Sequence, residues 1–108
     1  MGVDAGRPLT ETILYVLLAL GRPLHGYGIM QQVNALTGGR VALGAGTLYG
    51  ALTNLTEKGW IRPLASESDE RRKEYVITDA GREAVAAELE RLEELLRNGS
   101  RLVKEGQE

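Results

Sequence analysis

The chain has 108 residues, a formal net charge of −2 and no cysteine. This length fits one compact domain, and the lack of cysteine excludes disulfides, thiolate zinc sites and a cysteine nucleophile. The longest apolar run, Ile13–Leu20, is far shorter than the roughly 20 residues of a membrane helix, so we expect a cytoplasmic protein with no membrane partner.

The first half of the chain predicts two helices that end at glycines. Residues 1–8 are expected to form a flexible arm, after which Thr10 can cap a helix through the apolar run, ending at Gly21. A second helix is predicted from about His25, its expected N-cap, to Leu36, before Gly38. Helical spacing gives this second helix a buried stripe of Ile29, Met30, Val33 and Leu36.

A third helix is predicted between the glycine-rich segment 44–46 and Gly59. Three leucines at helical spacing, Leu48, Leu52 and Leu55, are expected to face the core. The outward side chains are then small or hydroxylated: Thr47, Tyr49, Gly50, Thr53 and Asn54.

The remaining residues predict a β-hairpin and a last helix. Trp60–Leu64 and Lys73–Ile77 are expected to be strands joined by a charged turn, and Thr78 or Asp79 is expected to cap the helix. An apolar seam with spacings of 4, 3 and 4 follows, formed by Val85, Leu89, Leu92 and Leu96. We expect this helix to stop at Asn98–Gly99 and residues 99–108 to be a frayed tail.

The predicted fold class is mainly α with a small β-hairpin: a winged helix-turn-helix over residues 9–78, followed by a C-terminal dimerisation helix over 79–98. Charge is divided between these two parts. No acid lies between Glu11 and Glu57, whereas the segment 79–94 holds six acids and two arginines. Because DNA binding depends on the local field at one face, the acid-free half can face DNA despite the negative net charge.

Four segments, in this order, resemble the signature blocks of the PadR family of transcriptional regulators: His25–Ile29, Gly46–Leu52, Glu57–Ile61 and Arg72–Gly81. The last helix resembles the subfamily with a single C-terminal helix. The resemblance implies a winged-helix homodimer, usually a repressor, in which that helix packs on the partner subunit. The chain departs from the family at Gly50, where members often have proline, and at the turn, where Glu67, Asp69 and Glu70 dilute the positive charge.

The candidate sites follow from these expectations. Double-stranded DNA is expected to be contacted by Tyr27, Thr47, Tyr49, Thr53, Asn54, Lys58, Arg71, Arg72 and Lys73. The dimer interface is expected to contain Leu14, Leu17, Val85, Leu89, Leu92 and Leu96. Trp60 is a candidate for the lining of an effector pocket.

Several of these residues have a second interpretation. Tyr49 could pack under the hairpin instead of reaching a phosphate. Tyr27 could simply cover the second helix instead of contacting DNA. The Arg71–Lys73 run could be a solvated turn, and Trp60 could be core alone.

The predicted function is a DNA-binding transcriptional regulator, binding a near-palindromic operator as a homodimer and responding to a small-molecule effector where one exists. The alternative is a winged-helix protein–protein adaptor without DNA binding. We expect no enzyme, cofactor or metal, because the sequence has no phosphate loop, no cysteine and a single histidine.

Overall fold

The computed structural model describes residues 8–64 and 73–106. These residues form helices α1 (Glu11–Ala19), α2 (Gly26–Thr37), α3 (Ala45–Lys58) and α4 (Asp79–Gly106), with strands β1 (Leu24–His25), β2 (Ile61–Pro63) and β3 (Glu74–Ile77). Residues 1–7 of the predicted arm (residues 1–8) and residues 65–72, which include most of the predicted turn between the strands, lie outside the described residues. Among the described helices, none is long and apolar enough to cross a membrane.

Side-chain caps start the first two helices as the sequence predicts. The Ile13 N–H donates to Thr10 Oγ1 at 3.1 Å, and the Gly28 N–H donates to His25 Nδ1 at 3.0 Å. Gly38 and Gly59 end α2 and α3 in the left-handed conformation, with φ of 60° and 77°. Both ends need a residue that tolerates positive φ, and glycine does so without steric cost.

The core lies between α1, α2 and α3 and is closed by the sheet. The leucine face of α3 is confirmed, since Leu48, Leu52 and Leu55 are all buried. In α2, Ile29 and Val33 are buried, but Leu36 is 49% exposed. The prediction for Leu36 is therefore wrong: it lies in the last turn of α2, next to the terminating Gly38.

The small sheet has three antiparallel strands in the order β1-β3-β2. The hairpin prediction covered β2 and β3, in which Arg62 pairs with Val76. Strand β1 was not predicted. It pairs Leu24 with Tyr75 and joins the second half of the chain to the segment just before α2.

Helix α4 runs without interruption from Asp79 to Gly106. The predicted stop at Asn98–Gly99 is wrong, and residues 99–106 are helical instead of frayed. A single glycine costs about 1 kcal/mol inside a helix, which flanking residues of high helix propensity such as Leu96 and Arg101 outweigh.

The start of α4 is fixed to the end of α3. Thr78 Oγ1 donates to the carbonyl of Gly59 at 2.7 Å and accepts from the Gly81 N–H at 3.1 Å, while the Thr78 N–H donates to the Trp60 carbonyl at 2.9 Å. A Cβ at Gly81 would overlap that Trp60 carbonyl oxygen. Only glycine allows α4 to pass so close to the turn after α3.

We expect Gly81→Ala to destabilise the fold by about 1–3 kcal/mol, because the added methyl group meets rigid backbone. Gly50→Ala is the matched control: nothing lies near its added Cβ, and alanine favours a helix interior by about 0.5–1 kcal/mol. Urea unfolding of both variants measures the difference. A Gly81→Ala protein as stable as the wild type would contradict the close approach.

Helix α4 contains a buried carboxylate, Glu88, which pairs with an arginine of the same helix. Glu88 is 4% exposed, and its two oxygens accept from Arg91 at 3.0 and 2.6 Å. The pKa of Glu88 is lowered, chiefly by the hydrogen bond from Arg91, with a further contribution from the Leu9 backbone N–H, while burial opposes the shift. The pairing with Arg91 therefore favours the charged form of a carboxylate that is buried in α4.

We expect Glu88 to make stability pH-dependent below neutrality. Because its pKa is lower in the folded state, its stabilising contribution is complete above the unfolded-state pKa and is lost as the pH falls through the folded-state pKa. Thermal unfolding between pH 7 and pH 3 should show a smaller acid loss in Glu88→Gln, which cannot titrate. Parallel pH profiles for the two proteins would show that Glu88 contributes nothing to the acid loss.

Candidate nucleic-acid interface

The outward face of α3 is the centre of the candidate interface. Thr47, Tyr49, Thr53 and Asn54 are exposed, whereas the leucines on the opposite side are buried, as the helical spacing predicts. No acid occurs in α3 before Glu57. A face of hydroxyl and amide groups without negative charge suits a helix that approaches phosphates and base edges.

The hydrogen bonds already made by these side chains limit their roles. The Thr53 hydroxyl donates to the Tyr49 carbonyl at 3.0 Å, so toward a ligand Thr53 would act chiefly as an acceptor. The N-cap of α3 is Gly44, which supplies no side-chain hydrogen bond to the first turn. The first backbone N–H groups of α3 therefore have no side-chain acceptor at this cap.

Tyr49 lies where α2, α3 and the sheet meet. Its ring lines a cleft with Pro63, Lys73 and Tyr75, on the side of the wing. Its hydroxyl lies against the first turn of α2, because a Cβ at Gly26 would be 2.5 Å from Tyr49 Oη. Gly26 thus leaves room for this tyrosine. Tyr49 as a whole keeps 43% of its surface exposed.

The remaining predicted DNA contacts lie around this centre. Tyr27 is 64% exposed at the start of α2. Lys73 is half-buried beside the cleft, and Lys58 is exposed with its ammonium 4.9 Å from the centre of the Trp60 ring. Lys58 therefore already contacts an aromatic ring. Arg71 and Arg72 lie outside the described residues.

Two exposed residues that the sequence analysis did not name as candidates lie on the wing and on α1. Arg62 is an exposed cation on β2, placed on the wing by its pairing with Val76. The sequence places Arg62 between Ile61 and Pro63, but it does not show which way the side chain faces. The structure shows that Arg62 is exposed on β2. Leu18 is 42% exposed on α1, a helix whose neighbouring Leu17 is fully buried.

Arg40, in the turn between α2 and α3, is not available as an unpaired cation for DNA. Its guanidinium donates to both oxygens of Glu11, at 3.1 and 2.6 Å, and joins this turn to the start of α1. The hydrogen bond to Arg40 lowers the pKa of Glu11.

The predicted dimer residues divide into buried and exposed groups. Leu17 is fully buried in the core of its own chain, so its assignment to an interface is wrong. Leu14, Val85 and Leu92 are half-buried, and Val85 packs against the core. The exposed apolar residues of α4 are Leu89, Leu95, Leu96, Leu102 and Val103.

Trp60, the candidate for an effector pocket, is half-buried and packs against the core. Its ring lies under Lys58 and its carbonyl contacts the start of α4. These contacts give Trp60 a structural role, and its role toward an effector stays a prediction. Within residues 8–64 and 73–106, no three potential ligand side chains cluster as a metal site would require.

Comparison with known families decides the class of protein. The family model of the PadR-like transcriptional regulators matches residues 13–87, which include most of α1, all of α2 and α3, the sheet and the start of α4. The chain belongs to the PadR-like family of transcriptional regulators. The resemblance seen in the four sequence segments is thereby confirmed, and with it the class of transcriptional regulator.

Solved structures support the same fold for this PadR-like chain. A transcriptional regulator from Clostridium thermocellum is 24% identical, with a TM-score of 0.72 over 86% of this chain and 92% of that one. A PadR family regulator from Eggerthella lenta is 25% identical, with a TM-score of 0.66 over 87% and 81% of the two chains. The predicted fold class, mainly helical with a small wing, is confirmed.

One curated relative is similar in sequence. It is an uncharacterised 37.1 kDa protein of transposon TN4556 from Streptomyces fradiae, 43% identical over 76 residues, or 69% of this chain. The match spans 21% of that relative's length.

Proposed function

We propose that this PadR-like chain is a sequence-specific DNA-binding repressor that acts as a homodimer on a near-palindromic operator. The observation that carries the proposal is the outward face of α3, exposed along Thr47, Tyr49, Thr53 and Asn54 and without an acid before Glu57. A major groove about 12 Å wide admits such a helix. In this proposal residues 9–78 bind DNA and α4 joins the two subunits.

The roles of individual residues follow from their positions. Asn54 and Thr47 would read base edges, whereas Tyr49 would hold a phosphate beside the first turn of α2. Arg62 on β2 and Lys73 just before β3, with Arg71 and Arg72 preceding Lys73 in the sequence, would contact the neighbouring DNA backbone. Phosphate contacts fix the protein's position without reading sequence, so the specificity would come from α3.

The homodimer is supported by the exposed side chains of α4. Leu95, Leu96 and Leu102 are each more than half exposed in the single chain. A run of exposed leucines along one helix is an interaction surface, because apolar area left in water lowers stability and solubility. Leu18 and Leu14 of α1 would extend the interface, in place of Leu17. With two-fold symmetry, the half-sites would be about 34–36 Å apart.

The decisive experiment is a gel shift with the DNA upstream of the protein's own gene, at two salt concentrations such as roughly 50 and 200 mM. Saturable binding that survives unrelated competitor DNA, and weakens at the higher salt concentration, is expected. Repression follows if transcription from that DNA falls when the protein is added. A small-molecule effector, with Trp60 at its site, would appear as a compound that releases the DNA.

A protein–protein adaptor is the second candidate, and the observations that favour it are the net charge of −2 and the pairing of Arg40 with Glu11. Both weaken attraction to phosphates. A dimer that binds neither its own upstream DNA nor random DNA at low salt would support this candidate and contradict the repressor.

A further inference from the structure

We infer that Gly26 is a positioning residue for DNA binding, which acts through Tyr49 by fixing the place of the tyrosine hydroxyl before DNA arrives. This role rests on the proposed function, in which Tyr49 holds a phosphate, and Gly26 itself need not touch DNA. Three features carry it: the space beside Gly26, the kind of atom that fills this space, and the strand pairing that joins the first turn of α2 to the wing.

The space beside Gly26 is filled by the end of one side chain. Gly26 is the first residue of α2 and is buried. A Cβ built there would lie 2.5 Å from Tyr49 Oη and 3.1 Å from Tyr49 Cζ, too close for atoms that are not bonded. The next atom, Leu48 Cδ2, would be at 3.5 Å, an ordinary contact distance. The phenol end of Tyr49 is therefore what excludes a methyl group at this position.

The obstacle at Gly26 differs from the one at Gly81. At Gly81 a Cβ would meet the carbonyl of Trp60, which is part of the backbone and cannot move by itself. At Gly26 a Cβ would meet the far end of a side chain, and that residue, Tyr49, is 43% exposed. A methyl group at Gly26 should therefore displace the Tyr49 hydroxyl and leave the protein folded.

The wing provides further walls around Tyr49. Pro63 and Tyr75 line a cleft with Tyr49, and they pair with each other across β2 and β3. Tyr75 also pairs with Leu24 of β1. Because directly paired residues point to the same face of a sheet, Leu24, Tyr75 and Pro63 form one row on the face that borders Tyr49.

Strand β1 joins this row to Gly26. It ends at His25, and α2 begins at the next residue, Gly26. The cap from His25 Nδ1 to the Gly28 N–H, at 3.0 Å, holds the chain at this transition. The pairing of β1 with β3 therefore keeps the first turn of α2 next to the wing. We call Gly26, Pro63 and Tyr75 together the Tyr49 socket.

The Tyr49 socket favours binding by restricting the tyrosine in the free protein. A side chain on a helix surface otherwise exchanges between rotamers, and ordering it on binding costs affinity. A tyrosine that is already held beside α2 avoids part of this cost. Since phosphate contacts do not read sequence, the gain should be the same for operator and for random DNA.

A double-mutant cycle tests this role. Gly26→Ala and Tyr49→Phe should each lower the affinity for operator and for random DNA by about tenfold or more, because both lose the same hydrogen bond to a phosphate. The double variant should bind no more weakly than Tyr49→Phe alone. With the hydroxyl gone, the ring carbon at 3.1 Å is the nearest atom to the new methyl group, and a small shift of the ring accommodates it.

Gly21→Ala is the matched control for the glycine change. Its added Cβ would meet only the Leu18 carbonyl oxygen, at 3.6 Å, and Gly21 lies just after α1, outside the Tyr49 socket. This variant should keep the DNA affinity and the unfolding temperature of the wild type.

Thermal unfolding of the same variants separates a contact with Tyr49 from a role in helix packing. Any fall in midpoint caused by Gly26→Ala should disappear when Tyr49→Phe is also present, because alanine is otherwise the better helix residue. If Gly26→Ala folds poorly, the double variant should recover the fold. A double variant that also unfolds would show that Gly26 serves the backbone and would overturn the positioning role.

The binding data distinguish this role from the proposed function. If the wild type binds DNA and the losses in the two single variants add in the double variant, the positioning role is overturned and the proposed function stands. Wild-type affinity in Gly26→Ala has the same meaning. A wild-type protein that binds no DNA contradicts the proposed function, and the positioning role fails with it.

Discussion

Leu96→Glu should convert the protein from a dimer to a monomer without unfolding it. Leu96 is 67% exposed in the single chain, so its replacement leaves the chain's own core unchanged. In the proposed dimer the same change buries two carboxylates among leucines. Burial of an unpaired charge costs about 4 kcal/mol or more, on the order of a thousandfold in the dissociation constant. Sedimentation at micromolar concentration, with circular dichroism as the check on folding, measures the effect.

Arg101→Glu is the matched control for this change. It reverses a charge on the same helix, about 140° around from Leu96, and should leave the dimer intact. DNA affinity should fall in Leu96→Glu, because two half-sites bound independently lose the gain of a linked pair. A dimeric Leu96→Glu protein would show that the exposed leucines are not the interface.

Tyr49→Phe and Asn54→Ala should weaken DNA binding in different ways. Removing the Tyr49 hydroxyl keeps the ring in its cleft and deletes one hydrogen bond to phosphate, worth about 1.5–3 kcal/mol per subunit. Affinity should fall alike for operator and random DNA. Asn54→Ala should cost about 1–3 kcal/mol at the base it reads and lower operator affinity alone.

Binding curves for both variants on operator and on scrambled DNA provide the comparison, with thermal unfolding as the check on stability. Wild-type affinity in both variants would mean that α3 does not enter the groove. A uniform loss in Asn54→Ala would instead place Asn54 on the backbone and move the specificity to other residues.

The features that the sequence predicted correctly were determined locally. Thr10 and His25 cap their helices because each side chain reaches an N–H three residues on, a contact that the sequence itself encodes. Helix α3 has one apolar side and one polar side. Spacing alone therefore predicted which side faces the core. The wing strands were bounded by Gly59 and by the charged turn.

The errors came from features that only the folded chain decides. Helix α1 is apolar nearly all round, so spacing could not show that Leu17 faces the core and Leu18 faces outward. Strand β1 has two residues, too few for a pattern, and exists because β3 offers it a pairing edge. Arg62 became a candidate contact only when the strand showed its exposure.

The junction at Gly81 makes α3 and α4 one mechanical unit. Thr78 links the end of α3 to the start of α4 by hydrogen bonds, and the two backbones are in close contact at Gly81. Helix α4 then acts as a lever about 40 Å long, at 1.5 Å per residue. A turn of about 5° in α4 about a point roughly 30 Å along the helix moves α3 by roughly 3 Å, about a quarter of the groove width. A ligand that causes such a turn would control DNA binding without touching the DNA-binding face.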